Sequence, residues 1–259
     1  MSNDANLLDL SQDAFAGAVD EALKLHKQFR LEGDLSVLAT SKLADSSLVL
    51  DCLLKGEPST IETRGRNLQG ILHWGVDKLS PGGAHSFVER QWQLYNSLFY
   101  PYLAEGEWVD QGVQEQSGLA QVEQADIDSE QYLLELEAIQ PLFAAKLRWT
   151  FNKLSEQMAL SERALFRIRK QALNIVASRL HQELSTPQEL DLRRKYVVEH
   201  RYRALRPDEQ NILHLATILR KPLPLQALQQ LSAEVGVADP IANIRGLLDN
   251  WFVQQEDSG

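Results

Sequence analysis

The sequence predicts an all-α, or mainly α, protein, and three observations predict it. Apolar residues recur at spacings of 3 and 4 through almost every segment, the period of one helix face. Breaker clusters at Gly33-Asp34, Gly56-Glu57-Pro58 and Ser80-Pro81-Gly82-Gly83 cut those segments at helix-like lengths. Helix starts are marked as well, by Ser161 in an N-cap position and by Pro207 with acidic residues in the first turn that follows.

The elements follow in order. Residues 11–31 place Phe15, Val19, Ala22, Leu23 and Leu25 on one side and Asp20, Glu21, Lys24 and Lys27 on the other. Leu35, Leu38, Leu43, Leu48, Leu50, Leu53 and Leu54 suggest two short helices, and a further helix runs from Thr63 to Leu79. The densest aromatic block comes next, with Phe87, Trp92, Tyr95, Phe99, Tyr100 and Tyr102. Such a block can be a nucleobase-stacking platform, but only Arg90 is basic within residues 85–110, which favours helix-core packing. Residues 105–137 hold ten acids and no Lys or Arg, an acidic linker or insertion. It reads either as a solvated tether or as a competitor of DNA phosphate for the basic segment beside it.

That basic segment, FNKLSEQMALSERALFRIRKQALNIVA at 151–177, reads as a helix, a tight turn and a second helix. Leu154, Met158, Leu160, Leu165, Ile168, Ala172 and Val176 form its apolar framework, and Ser161 caps the second helix. Arg163, Arg167, Arg169, Lys170 and Arg179 are placed off the apolar stripe, giving a helix with a buried inner side and a cationic outer side.

The stretch resembles the helix-turn-helix of the sigma-factor region 4 family and its response-regulator relatives. Leu154, Met158, Leu160, Ser161, Leu165, Arg167, Ala172 and Leu173 occupy matching places, over some 30 of 259 residues. Two positions depart from the family pattern. Ser155 stands where a small apolar residue usually packs, and Ala159 stands at a turn position that often carries Gly. A positive φ at Ala159 costs about 1 kcal/mol. The YNSLFYPYLAEGEW stretch resembles the helix that precedes the paired helices in bacterial regulators, with the acidic stretch then inserted between them.

The resemblance implies double-stranded DNA as the partner, bound by a helix beginning at Ser161. Glu162, Arg163, Phe166, Arg167 and Lys170 match positions that face bases or nearby phosphates in that family. Arg163 or Arg167 can read guanine by a bidentate bond, and Glu162 can accept from cytosine. Arg169, Arg179 and the Arg193-Arg194-Lys195 cluster are assigned to phosphates. Phe166 is either a thymine-methyl contact or a packing residue against the preceding helix. A two-fold dimer is the assembly most such regulators use.

The net charge of −10 conceals a segregation. From Lys146 to Arg206 there are 14 Lys and Arg against 6 Asp and Glu, a local balance of +8, while the rest of the chain holds 12 against 30, a balance of −18. Phosphate feels the local patch, because the Debye length is about 8 Å at physiological salt.

Residues 204–259 form a further module, with helices starting at Pro207, near Lys221 and near Asp239, and a strand expected at Trp251–Gln254. The pattern resembles the winged-helix module that follows the nucleotide-binding domain in NB-ARC type signalling ATPases. From Pro207 onward there are three basic residues against seven acids, so this module is read as a protein-contact or dimerisation unit. The domain reading is therefore 1–104 helical, 105–137 acidic, 138–203 helix-turn-helix and 204–259 winged-helix-like.

Cys52, the only cysteine, lies in an apolar run and reads as a buried small hydrophobe. The N-terminus lacks a basic and apolar leader pattern and no run is long enough to span a bilayer, so a cytoplasmic location is expected. Phosphate-loop, GxGxxG, HExxH and GxSxG patterns are not found, and His26, His73, His85, His181, His200 and His214 are scattered singly without cysteines at metal spacing. No enzyme activity, metal or cofactor is expected. The expected function is sequence-specific DNA binding in a bacterial transcription regulator. The alternative is an adaptor that reuses the same shape for protein contact with a signalling ATPase or transposition-type assembly.

Overall fold

The computed structural model describes residues 4–104, 150–219, 224–249 and 252–253, and among these every regular element is a helix. The acidic stretch 105–137 lies outside the described residues, as do Trp251 and Gln254 of the strand expected at 251–254, while Phe252 and Val253 form a bend and no strand.

Local chemistry sets the helix ends. α1 (Asp4–Leu8) leads into α2 (Gln12–Glu32), where the Ser11 hydroxyl accepts from the Ala14 amide at 3.3 Å. Gly33, at φ 76°, ends α2 in the left-handed conformation that glycine adopts without a Cβ penalty. Short turns α3 (Ser36–Ala39), a 3-10 turn (Lys42–Asp45) and α4 (Ser47–Leu50) follow. α5 (Ile61–Asp77) starts on a capping box, Thr60 and Thr63 each bonding the other's backbone N–H.

α6 (Arg90–Leu98) runs into a π turn, Phe99–Leu103. Pro101 has no N–H to give to the carbonyl four residues back, so the ladder widens and Ala104 bonds Phe99 at 2.8 Å instead. α7 comprises the described residues 150–157, and α8 (Glu162–Ser185) and α9 (Leu190–Arg203) come next. α10 (Pro207–Leu219), α11 (Leu225–Glu234) and α12 (Pro240–Asp249) complete the described chain.

α8 is the axis of the larger bundle, packed on α2 and α6, with α5 bridging to α3, α4 and α9. One core joins Phe15, Val19 and Leu23 of α2, Leu68 and Ile71 of α5, Phe151 and Leu154 of α7, Leu165, Val176 and Leu180 of α8, and Val197 of α9. The boundary drawn between residues 1–104 and 138–203 therefore does not separate two cores. The apolar stripe of α8 continues to Leu184, beyond what a short paired helix can cover, and α2 and α6 supply the remainder.

Residues from Leu205 on have a core of their own, made by Leu205, Ile212, Leu228, Val237, Ile244 and Leu247. It is tied to the larger bundle by Arg66, which donates to the Asp249 carbonyl at 3.0 Å, and by Arg201 over the Phe252 ring at 5.7 Å. A three-helix unit is present in this region, and among the described residues no strand forms a wing.

Candidate nucleic-acid interface

The α7–turn–α8 unit has the local geometry that its sequence requires. Leu154, Met158, Leu165, Ala172 and Val176 are buried, and Leu160 and Ile168 are half-buried. Ala159 does take a positive φ, 52°, and Leu160 bonds back to the Ser155 carbonyl at 2.9 Å to close the turn. The Ser161 hydroxyl accepts from the Ala164 amide at 3.2 Å and caps α8. Ser155 satisfies its own hydroxyl on the Asn152 carbonyl at 2.7 Å, which allows a polar side chain at a half-buried place.

The basic residues of α8 divide between two faces. Arg163, Arg167 and Lys170 are exposed at i, i+4 and i+7, one stripe of the helix surface, and Glu162 beside them is half-exposed. With a rise of about 1.5 Å per residue the three span roughly 10 Å, about three base-pair steps. Farther along, Gln171, Asn174, Ser178 and Gln182 continue a polar surface that forms a shallow groove with Gln12. Arg179 also lines it, half-buried, with one guanidinium nitrogen buried and unpartnered.

Two of the assigned contacts, Arg169 and Arg193, need correction. Arg169 is buried, bonded to Asp20 and donating to the Tyr102 hydroxyl at 2.8 Å, so it cannot reach phosphate. Arg193 is wholly buried against Glu183 at 3.3 Å, and the same carboxylate accepts from the Gln188 and Glu189 amides at the start of α9. Both arginines spend their charge holding helices together. Arg194 and Lys195 are exposed; Arg194 donates to the Asp51 carbonyl, and Lys195 lies in a 3.7 Å pair with Glu199. Of the two readings of Phe166, packing against the preceding helix is the one observed: its ring lies 4.8 Å from that of Phe151, centroid to centroid.

In the aromatic block at 87–102, Tyr102 belongs to the main core and Phe87, Tyr95, Phe99 and Tyr100 pack against it, with ring contacts such as Trp92–Tyr95 and Tyr95–Phe99 inside the block. What linear spacing missed is a meeting of histidines. His26 of α2, His73 of α5 and His200 of α9 lie together, with ring centroids 5.4 Å (His26–His73) and 4.4 Å (His73–His200) apart. His26 Nδ1 donates to the Tyr102 carbonyl at 2.9 Å. Burial drives the His26 pKa down to about 3 and that of His73 to about 2, with Arg30 adding repulsion at both. Both rings are therefore neutral at pH 7. The three sit on separate helices, and no sequence signal connects them. Among the described residues no group of three or more His, Cys, Asp or Glu is arranged to hold a metal ion, and no helix is long and apolar enough to cross a membrane. Comparison with family models, curated proteins and solved structures yields no match for this chain.

Proposed function

We propose that the chain binds double-stranded DNA through the first two turns of α8, as part of a transcription regulator. The observation that carries this reading is the exposed stripe Arg163, Arg167 and Lys170 directly after a capped helix start. Arg169 and Arg193 hold the scaffold rigid behind it, and Phe151 against Phe166 fixes α7 relative to α8. Arg163 and Arg167 are the candidates for base readout; Lys170 and Arg179 are the candidates for phosphate. Duplex affinity measured against salt concentration tests this. Four phosphate or base contacts by cations should give a log–log slope of about −3 to −4, reduced by roughly one in Arg167→Ala. A flat salt dependence, or no duplex binding at low salt, counts against the proposal.

The adaptor reading has one observation of its own. Ile218, Leu225, Val235 and Ile241, in the α10–α12 unit, are exposed large apolar side chains, with Ile218 at 74 %. That unit is the part of the chain we assign to protein contact or dimerisation, and the same salt titration separates this reading from DNA binding.

A further inference from the structure

Between α2, α5, the π turn and α9 lies a cleft of about 690 Å³, on a different part of the bundle from the Arg163–Lys170 stripe. Its described walls carry four arginines and two histidines, of which His73 is neutral at pH 7. Arg30 comes from α2, Arg66 and His73 from α5, and His200, Arg201 and Arg203 from α9. Of these, Arg201 is already neutralised by a bidentate pair with Glu57, at 2.8 and 2.9 Å. Among the described residues Asp77 is the only carboxylate in the lining; the Tyr196 hydroxyl donates to it, and burial raises its pKa.

Two lining groups lack what burial normally demands. Arg66 is half-buried, and its hydrogen bond is to the neutral Asp249 carbonyl; it forms no ion pair among the described residues. His73 is 8 % exposed, and among the described residues its Nε2 has no hydrogen-bond partner. Glu57, Glu62 and Asp249 act on Arg66 only from beyond ion-pair distance, so its guanidinium and the buried His73 nitrogen both have bonding capacity that a ligand can complete. Guanidinium forks match phosphate oxygens, and a phosphate ester's two charges suit an arginine pair reinforced by imidazoles. On another wall Tyr95 and Phe99 lie stacked, with centroids 4.9 Å apart and planes 16° from parallel, beside Phe29. Aromatic walls of this kind favour a flat ring.

We infer that this cleft binds a phosphorylated small molecule bearing a planar ring, of mononucleotide size, with Arg30, Arg66 and His73 on the phosphate and the Tyr95–Phe99 wall beside the ring. The volume suits one such molecule. The site does not depend on DNA binding, so either reading can fail alone.

Calorimetry of the full chain without DNA, at fixed ionic strength, with AMP, inorganic phosphate and adenosine as probes, tests the inference. AMP should bind at least tenfold more tightly than inorganic phosphate, and adenosine should not bind measurably. Arg66→Gln should weaken AMP at least tenfold, with Arg30→Gln as the second variant if the first does not fold. Tyr95→Ala should reduce AMP binding while leaving phosphate binding unchanged, and Arg167→Gln should leave AMP binding intact. Absence of AMP binding at millimolar concentration, equal affinity for AMP and phosphate, or an unaltered AMP affinity in folded Arg66→Gln or Arg30→Gln would overturn it.

Discussion

Whether an arginine on this protein can meet a polyanion is decided by its register on its helix. Arg169 lies four residues after Leu165 and three before Ala172, so it sits in the middle of the buried stripe, and Asp20 meets it there. Arg163, Arg167 and Lys170 fall on the opposite side. Arg193 and Arg201 flank Val197 at four-residue steps, and both are buried with carboxylates. A single residue also bears the strain of the α7–α8 turn. Ala159 at φ 52° pays for a Cβ in the left-handed region, so Ala159→Gly should raise unfolding free energy by about 1 kcal/mol, read from denaturant midpoints. A loss of stability in that variant would mean that the turn is not strained. The spacing of Arg169 to Leu165 and Ala172 contains its inward register, yet the sequence reading places it off the apolar stripe with the other basic residues. Its partner was not legible, since Asp20 lies 149 residues away and no local rule pairs the two.

At the scale of elements, the helix starts and stops were legible because they depend on local chemistry. Ser161 caps α8, Pro207 opens α10, and Gly33 closes α2. The length of α8 was less visible: 24 residues run on without a breaker, and the second half of its stripe makes the helix a bundle axis as well as half of a pair. Close approach between elements was not legible at all. A Cβ built at Gly70 of α5 would lie 3.2 Å from the Val197 Cα and 3.1 Å from its Cγ2, so α5 and α9 touch there backbone to side chain. Gly70→Ala should therefore cost about 1–3 kcal/mol in chemical denaturation, because the buried Val197 has little room to retreat. A neutral result would indicate that α9 shifts freely, which would also loosen the His200 side of the cleft.

For the whole molecule, the two depressed histidines link stability to pH. The unfolded chain binds protons at His26 and His73 near pH 6.5, whereas the folded chain refuses them down to about pH 3 and about pH 2. Stability contributed by these neutral rings is thus present above pH 6.5 and lost as pH falls below it. Between pH 6.5 and 5.5 the loss should be about 1 kcal/mol per histidine. His26→Leu should flatten that dependence, and an unchanged slope would remove His26 from the account. The charge segregation along the sequence survives folding only in part, since Arg169, Arg193 and Arg201 are consumed internally while Arg163, Arg167 and Lys170 remain on the surface. The central claim is that this remaining stripe contacts duplex DNA. Its most direct test is the affinity for mixed-sequence duplex at low salt of the natural chain and of a variant carrying Arg163→Gln, Arg167→Gln and Lys170→Gln together. The account predicts that the variant keeps its helical fold, loses at least tenfold in affinity, and shows a salt slope shallower by about two to three, with Arg179 accounting for what remains. Equal affinity and equal salt slope in the two proteins would contradict it.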